Sequence, residues 1–107
     1  MIHFKYTILY VDDVNTTLIF YEKAFGFKRK FISPDNEYGE LETGETTLSF
    51  ASKTLAASNL KKGFIESDLS NKPFAIEIGF ATDNVEATVN TAVSAGATIL
   101  EHPKTTS

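Results

Sequence analysis

Glu77 is the acidic residue whose sequence neighbours most suggest chemistry. The run from Phe74 to Phe80 alternates apolar residues with Ala75, Glu77 and Gly79. In a strand, this alternation puts the carboxylate on one face between two small residues, which leaves space around it. Such a carboxylate could bind a ligand or act as a base. It could equally be a solvated charge on an open sheet face, and the residue pattern leaves both interpretations open.

Hydroxyl and phenol groups form a second candidate set. Thr47 and Ser49 share one face of a predicted strand and would give a small, polar lining. Tyr6 could donate a hydrogen bond to a ligand, although aromatic residues at strand spacing also occur in cores. The glutamates near predicted turns are interpreted as surface charges; they are Glu40, Glu42 and Glu45.

Other kinds of catalytic site find little support in the sequence. His3 lies near the N-terminus and His102 in a polar tail, so neither is predicted to act in catalysis or metal binding. The chain has no cysteine, which removes a cysteine nucleophile, a thiolate metal site and a disulfide framework. It also lacks a glycine-rich phosphate loop, zinc-ligand spacing and a pairing of a nucleophile with a base.

A capped amphipathic helix is predicted between Asp13 and Gly26. The Asp13 carboxylate can accept from free N–H groups of the first turn, and Gly26 suits the left-handed residue that ends a helix. The apolar residues recur at helical spacing and predict one buried face: Val14, Leu18, Tyr21 and Phe25.

Strand alternation and turn residues place the other elements. Strands are predicted at Ile2–Val11, Phe27–Ser33, Glu37–Glu42, Thr46–Ser52, Phe74–Ala81 and Ala97–Glu101. Residues 53–72 lack a sustained period and are interpreted as a connector. A second helix is predicted from Asp83, in a capping box with Glu86, to Gly96, with Val85, Val89, Ala92 and Val93 on its buried face.

The two predicted helices indicate an internal duplication. The interval from Asp13 to Gly26 equals that from Asp83 to Gly96, and each helix follows one strand and precedes another. The sequence therefore predicts one α+β domain over residues 1–107. It comprises a first module at about 2–52, the connector at 53–72 and an incomplete second module at 73–101.

Composition limits the possible partners. The formal net charge is −4 and the calculated pI is about 5.1, which gives no basic surface for nucleic acid. No segment approaches the ~20 consecutive apolar residues that cross a bilayer. We expect a cytoplasmic protein that binds neither nucleic acid nor membrane.

The stretch VDDVNTTLIFYEKAFGF from Val11 to Phe27 resembles a signature of the vicinal oxygen chelate superfamily, the glyoxalase, bleomycin-resistance and extradiol-dioxygenase fold. The second stretch, ATDNVEATVNTAVSAGATIL, is similar to the second helix of that family. The resemblance implies paired βαβββ modules whose curled mixed sheet forms a cup. The second module here lacks two strands, so we expect the natural chain to continue by roughly 20–25 residues, or a second chain to cover the open edge.

The resemblance also implies where a metal would bind. The comparable positions are Tyr6, Ser49 and Glu77, of which only Glu77 suits a divalent cation. This favours a metal-free protein similar to bleomycin-resistance proteins, binding a small organic molecule through Tyr6, Thr47, Ser49 and Glu77. The alternative is a lyase, isomerase or dioxygenase similar to glyoxalase I that uses zinc, nickel, iron or manganese, with Glu77 as the best catalytic candidate. Family members commonly pair, so a homodimer is expected.

Overall fold

One helix lies across one face of a curled, unclosed sheet in the computed structural model, which describes residues 1–104. The helix is α1 (Val14–Phe25), and the strands are β1 (Tyr6–Val11), β2 (Lys28–Ile32), β3 (Tyr38–Glu42) and β4 (Thr47–Ser52). Their order in the sheet is β1-β4-β3-β2. β1 runs parallel to β4, whereas the other pairs are antiparallel. The sheet is therefore mixed, as predicted.

Both predicted ends of α1 are confirmed. The Asp13 carboxylate accepts a hydrogen bond of 2.8 Å from the Thr16 N–H. At the other end, Gly26 has a φ of 73°, and its N–H donates to the Glu22 carbonyl at 3.0 Å. These contacts pair backbone groups that a helix end leaves free.

The core lies between α1 and the sheet. Val14 and Leu18 of the helix are buried against three sheet residues, which are Leu41, Leu48 and Phe50. Tyr21 and Phe25 of the same predicted face are only half-buried. At the edge of this layer, the Arg29 guanidinium of β2 donates to Asn15 at 2.9 Å and to Glu22 at 3.1 Å, which ties the strand to the helix.

The predicted connector, residues 53–72, begins with a helix that the sequence pattern did not predict, α2 (Lys53–Asn59). Ser52, the last residue of β4, is also its N-cap: the Ser52 hydroxyl accepts from the Leu55 N–H at 3.0 Å. Ala56 is the buried residue of this short helix. Local capping thus starts a helix in a segment too short to show a helical period. Residues 60–72 contain no helix or strand.

The structure has no strand at 74–81 or at 97–101, so these two predictions are wrong. Neither segment pairs with another strand within residues 1–104. A local hydrogen bond of 2.8 Å from the Ile76 N–H to the Phe74 carbonyl also turns the backbone in the first segment. Alternation predicts which face is apolar, but a sheet strand also needs a neighbour to satisfy its backbone.

The second predicted helix is present as α3 (Val85–Ser94), although its cap falls one residue later than predicted. Asn84, not Asp83, accepts from the Ala87 N–H at 3.0 Å. The Thr82 hydroxyl accepts from the Asn84 N–H at 3.3 Å, and this replaces the contact expected from Glu86.

Helix α3 packs beside α1, but its predicted apolar face is only partly covered. Ala92 is buried and Val89 half-buried, whereas Val85 and Val93 are exposed. Within residues 1–104, no helix is both long and apolar enough to cross a membrane.

Candidate functional site

The sheet face opposite α1 carries a polar cluster. Leu41, Leu48 and Phe50 point toward α1, so alternation places their strand neighbours on the other face. Strand register agrees, because Ser49 pairs with Ile8 on one side and Glu40 on the other. We call this surface the open face; its central residues are Tyr6, Ile8, Tyr38, Glu40, Thr47 and Ser49.

Glu40 is a buried carboxylate at the centre of the open face. Glu40 is only 6% exposed, and the Tyr38 hydroxyl donates a hydrogen bond of 2.7 Å to its Oε2 atom. The other oxygen, Oε1, lies 3.8 Å from the Lys30 ammonium. The interpretation of Glu40 as a surface charge is therefore wrong. Strand pairing places Glu40 between Ser49 and β2. The position of this glutamate near a turn in the sequence does not reveal that placement.

The Tyr38 phenol is held in its protonated form at neutral pH. Burial is the largest cause that raises the pKa of Tyr38 to about 12. The nearby Ser49 hydroxyl lowers the pKa of Tyr38, while the hydrogen bond to Glu40, the negative charge of Glu40 and the Tyr6 phenol raise it. Tyr6, Tyr38, Glu40 and Ser49 therefore interact as one group. The sequence analysis did not identify Tyr38 and Glu40 as candidate site residues. Alternation along β3 could have indicated them, because they lie on the face opposite Gly39 and Leu41.

The structure brings three of the four predicted site residues to this face. Thr47 and Ser49 are buried in β4, and Tyr6 in β1 is 46% exposed. The Ser49 hydroxyl lies 3.4 Å from the Thr7 carbonyl, to which it donates. Ser49 therefore forms a polar floor beneath the larger side chains, and Tyr6 presents its ring to solvent.

Glu77, the fourth predicted residue, is placed elsewhere. It lies in the exposed segment 74–81, and no hydrogen bond or ion pair joins it to another residue within 1–104. That segment contacts the first half of the chain through Phe80, which lies against Phe25 and Phe27. The role of Glu77 as a ligand or base stays a prediction.

Aromatic residues flank the open face at both sides. Phe31 of β2 is half-exposed, and its ring centroid lies 5.9 Å from that of Tyr38. Across the sheet, the Phe64 ring lies edge-on to Tyr10 with centroids 4.9 Å apart. The polar cluster is thus bordered by apolar surface, which is the usual composition of small-molecule sites.

The donor atoms of this face do not suit the divalent metal that the family resemblance implies. A phenol at Tyr6 and a buried hydroxyl at Ser49 are poor ligands for a divalent cation. Glu40 could supply one carboxylate, but it already accepts from Tyr38. Across residues 1–104, no three or more histidine, aspartate or glutamate side chains group as a metal site would require.

Clefts also lie at the Thr47 end of the sheet and along α3. One of about 300 Å³ runs between the Thr47 end of the sheet and residues 78–81, and Phe27 forms part of its wall. Another of about 420 Å³ lies along α3 and is lined mainly by apolar residues, including Val89, Val93 and Leu100. Neither cleft contains a buried charged group comparable with Glu40.

A curled mixed sheet with a helix on one face and a polar group on the other defines an α+β protein of the glyoxalase type. The chain belongs to the Glyoxalase/Bleomycin resistance protein/Dioxygenase superfamily, whose family model matches residues 3–107. This confirms the family predicted from the two sequence stretches.

Solved structures show the same fold. A hypothetical protein from S. aureus is 23% identical with a TM-score of 0.77, over 99% of this chain and 79% of that one. A family enzyme from Burkholderia phytofirmans, described as a glyoxalase/bleomycin resistance protein/dioxygenase, is 23% identical with a TM-score of 0.70, over 98% and 82%. A glyoxalase-related enzyme from Fulvimarina pelagi is 15% identical with a TM-score of 0.72, over 90% and 66%. No curated protein matches the chain in sequence.

Proposed function

We propose that this protein binds a small organic molecule on the open face and does so without a metal. The observation that carries the proposal is the buried polar group of Glu40, Tyr38 and Ser49 beneath half-exposed rings. Burying a carboxylate is unfavourable unless it is fully paired, and Glu40 has one hydrogen bond and one cation at 3.8 Å. A binding role explains why polar atoms occupy this position.

The side chains around the polar group would supply the affinity. Tyr6 and Phe31 offer apolar surface that a ligand could remove from water, at about 25 cal/mol per Å² of buried area. Thr47 and Ser49 are small and buried, so a ligand would meet chiefly the larger side chains that cover them. The polar atoms would then orient the ligand.

Ligand-detected NMR with a set of small aromatic compounds tests this proposal. We expect Tyr6→Ala to weaken binding at least severalfold, because it removes a ring from the open face. The matched control is Ile19→Ala, which shortens an exposed apolar residue of α1, on the opposite side of the sheet. Equal weakening by both variants, or shifts confined to the α3 cleft, would contradict the proposal.

Metal analysis of purified protein separates the proposal from its alternative. The alternative is a metal-dependent lyase, isomerase or dioxygenase similar to glyoxalase I. Near-stoichiometric zinc, nickel, iron or manganese would favour it, and Glu77 would then be the first residue to replace. We expect metal well below one equivalent, because the hydroxyl and phenol donors suit these cations poorly.

Two further expectations accompany this function. A homodimer is supported by the exposed apolar residues of the second half, such as Ile76 and Leu100. Sedimentation showing a monomer at high micromolar concentration would count against it. A cytoplasmic location is favoured by the cysteine-free composition and also stays a prediction.

A further inference from the structure

Glu40 Oε1 is a nearly buried carboxylate oxygen with an incomplete set of contacts. Oε2 accepts the 2.7 Å hydrogen bond from Tyr38, but the nearest cation to Oε1 is Lys30 at 3.8 Å, beyond hydrogen-bond distance. Lys30 is itself about half-exposed, so its ammonium remains largely solvated. A desolvated carboxylate oxygen gains most from a close, charged donor. Oε1 is therefore the atom of the open face best prepared to accept from a ligand.

The rings near Glu40 favour the same kind of ligand. Phe31 stands opposite Glu40 in the strand register, and Tyr38 lies beside both. Aromatic faces attract organic cations, because the centre of the ring carries negative potential. Tyr6 adds a third ring from β1, where it stands opposite Thr47, the neighbour of Ser49 on the same face of β4.

An anionic ligand fits this position less well. It would approach the Glu40 carboxylate, and the Tyr38 hydroxyl that could donate to it is already engaged by Oε2. Lys30 could attract an anion only close to the negative charge of Glu40, which would repel it. The arrangement therefore discriminates by charge as well as by shape.

We propose that the open face recognises the protonated amine of a small organic molecule, with Glu40 Oε1 accepting from its N–H and the rings of Tyr38 and Phe31 covering its apolar part. This inference rests on the proposed function and specifies its ligand class. Lys30 competes with the ligand amine for Oε1, since both are cations that approach the same oxygen.

Three probes of similar shape test the charge preference: benzylamine, benzyl alcohol and benzoate. In a chemical-shift titration of labelled protein at neutral pH, we expect benzylamine to bind roughly tenfold or more tightly than benzyl alcohol, the scale of one charge-assisted hydrogen bond. Benzoate should bind most weakly. The shifted residues should include Phe31, Tyr38 and Glu40.

Matched variants assign the preference to Glu40. Glu40→Gln keeps the shape and removes the charge, so benzylamine should fall to the affinity of benzyl alcohol. Glu42→Gln is the control, because Glu42 lies two residues along β3 on the same face, stands opposite Lys28 of β2 and is exposed. Retained amine preference in Glu40→Gln, or equal loss in Glu42→Gln, would overturn the inference.

Lys30→Gln gives a test that does not alter Glu40. It removes the competing cation, so benzylamine should bind severalfold more tightly, whereas weaker binding would overturn the inference even if Glu40→Gln failed to fold. Equal affinity of the wild type for all three probes at the open face would overturn the amine preference but leave the proposed function standing. Absence of shifts at that face with every probe would count against both.

Discussion

The hydrogen bond between Tyr38 and Glu40 ties a phenol and a carboxylate into the centre of the sheet. Tyr38 can donate to Glu40 only while its phenol is neutral, because an ionised phenol would lie 2.7 Å from a second negative charge. Burial and this neighbour together raise the pKa of Tyr38 to about 12. The cluster should consequently persist throughout the neutral range and be disrupted in alkali.

The free energy of unfolding should fall as the pH rises from about 10 to about 12. Between these values an unfolded Tyr38 has lost its proton while the folded one retains it, so the unfolded state binds fewer protons and raising the pH favours it. Burial also raises the pKa of Tyr21, which contributes in the same direction. Chemical denaturation across this pH range measures the slope.

Tyr38→Phe and Tyr21→Phe should each reduce that alkaline slope, and the double variant should reduce it further. Both changes keep the ring and remove the titrating hydroxyl, so the comparison isolates ionisation. A slope in Tyr38→Phe identical to that of the wild type would show that the phenol is not held as the structure indicates.

At the scale of elements, the contact between α1 and β3 depends on a missing side chain. A Cβ built at Gly39 would lie 2.7 Å from Leu18 Cδ1 and 3.0 Å from Val14 Cγ1. Gly39 therefore allows the helix to approach the sheet closely enough for Leu18 to be fully buried. Its role is close approach, since it is not among the glycines with positive φ.

Leu18→Ala should lower the free energy of unfolding by about 2–5 kcal/mol, because it removes a fully buried side chain and leaves a cavity. Urea denaturation measures the change. Ile19→Ala is the matched control on the same helix, and its effect should stay below about 1 kcal/mol because Ile19 is exposed. Similar losses in the two variants would mean that the buried face of α1 is wrongly assigned.

Gly39→Ala should also destabilise the protein, by about 1–3 kcal/mol, because the added methyl group overpacks the contact. Its cost should be smaller when Leu18 is already alanine, since the clashing Cδ1 atom is then absent. A double-mutant cycle measures this coupling. Strict additivity of the two losses would contradict the contact.

Sequence patterns predicted these elements where the information was local. Asp13 and Gly26 mark the ends of α1 through contacts within a few residues, and alternation gave the faces of β1, β3 and β4. The failures concern distant partners. Residues 74–80 alternate as a strand would, yet no strand pairs with them within residues 1–104. Glu40 has the sequence position of a charge near a turn, but the pairing of β3 with β4 places it beside Ser49.

At the scale of the whole molecule, aromatic rings join the two halves. Phe80 of the second half lies against Phe25 and Phe27 with centroids 5.0 Å from each, and it is 6.4 Å from Tyr21. Helix α3 adds its contact with α1 beside this cluster. The segment after residue 73 supplies no strand to the sheet within residues 1–104, so the Phe80 contacts and α3 contribute much of its attachment to the first module.

Phe80→Ala should loosen the second half while the sheet of the first half stays folded. Removing the ring eliminates three edge-to-face contacts, and such aromatic pairs are worth about 0.5–1.5 kcal/mol each beyond their buried area. Hydrogen exchange should therefore accelerate in α3 but change little in β1 and β4. Phe74→Ala is a closely matched control, because Phe74 lies in the same segment with 42% exposure against 40% for Phe80 and makes none of these ring contacts. Equal acceleration in both variants would show that segment 74–81 is held by its apolar character in general, and acceleration throughout the sheet would show that the two halves unfold together.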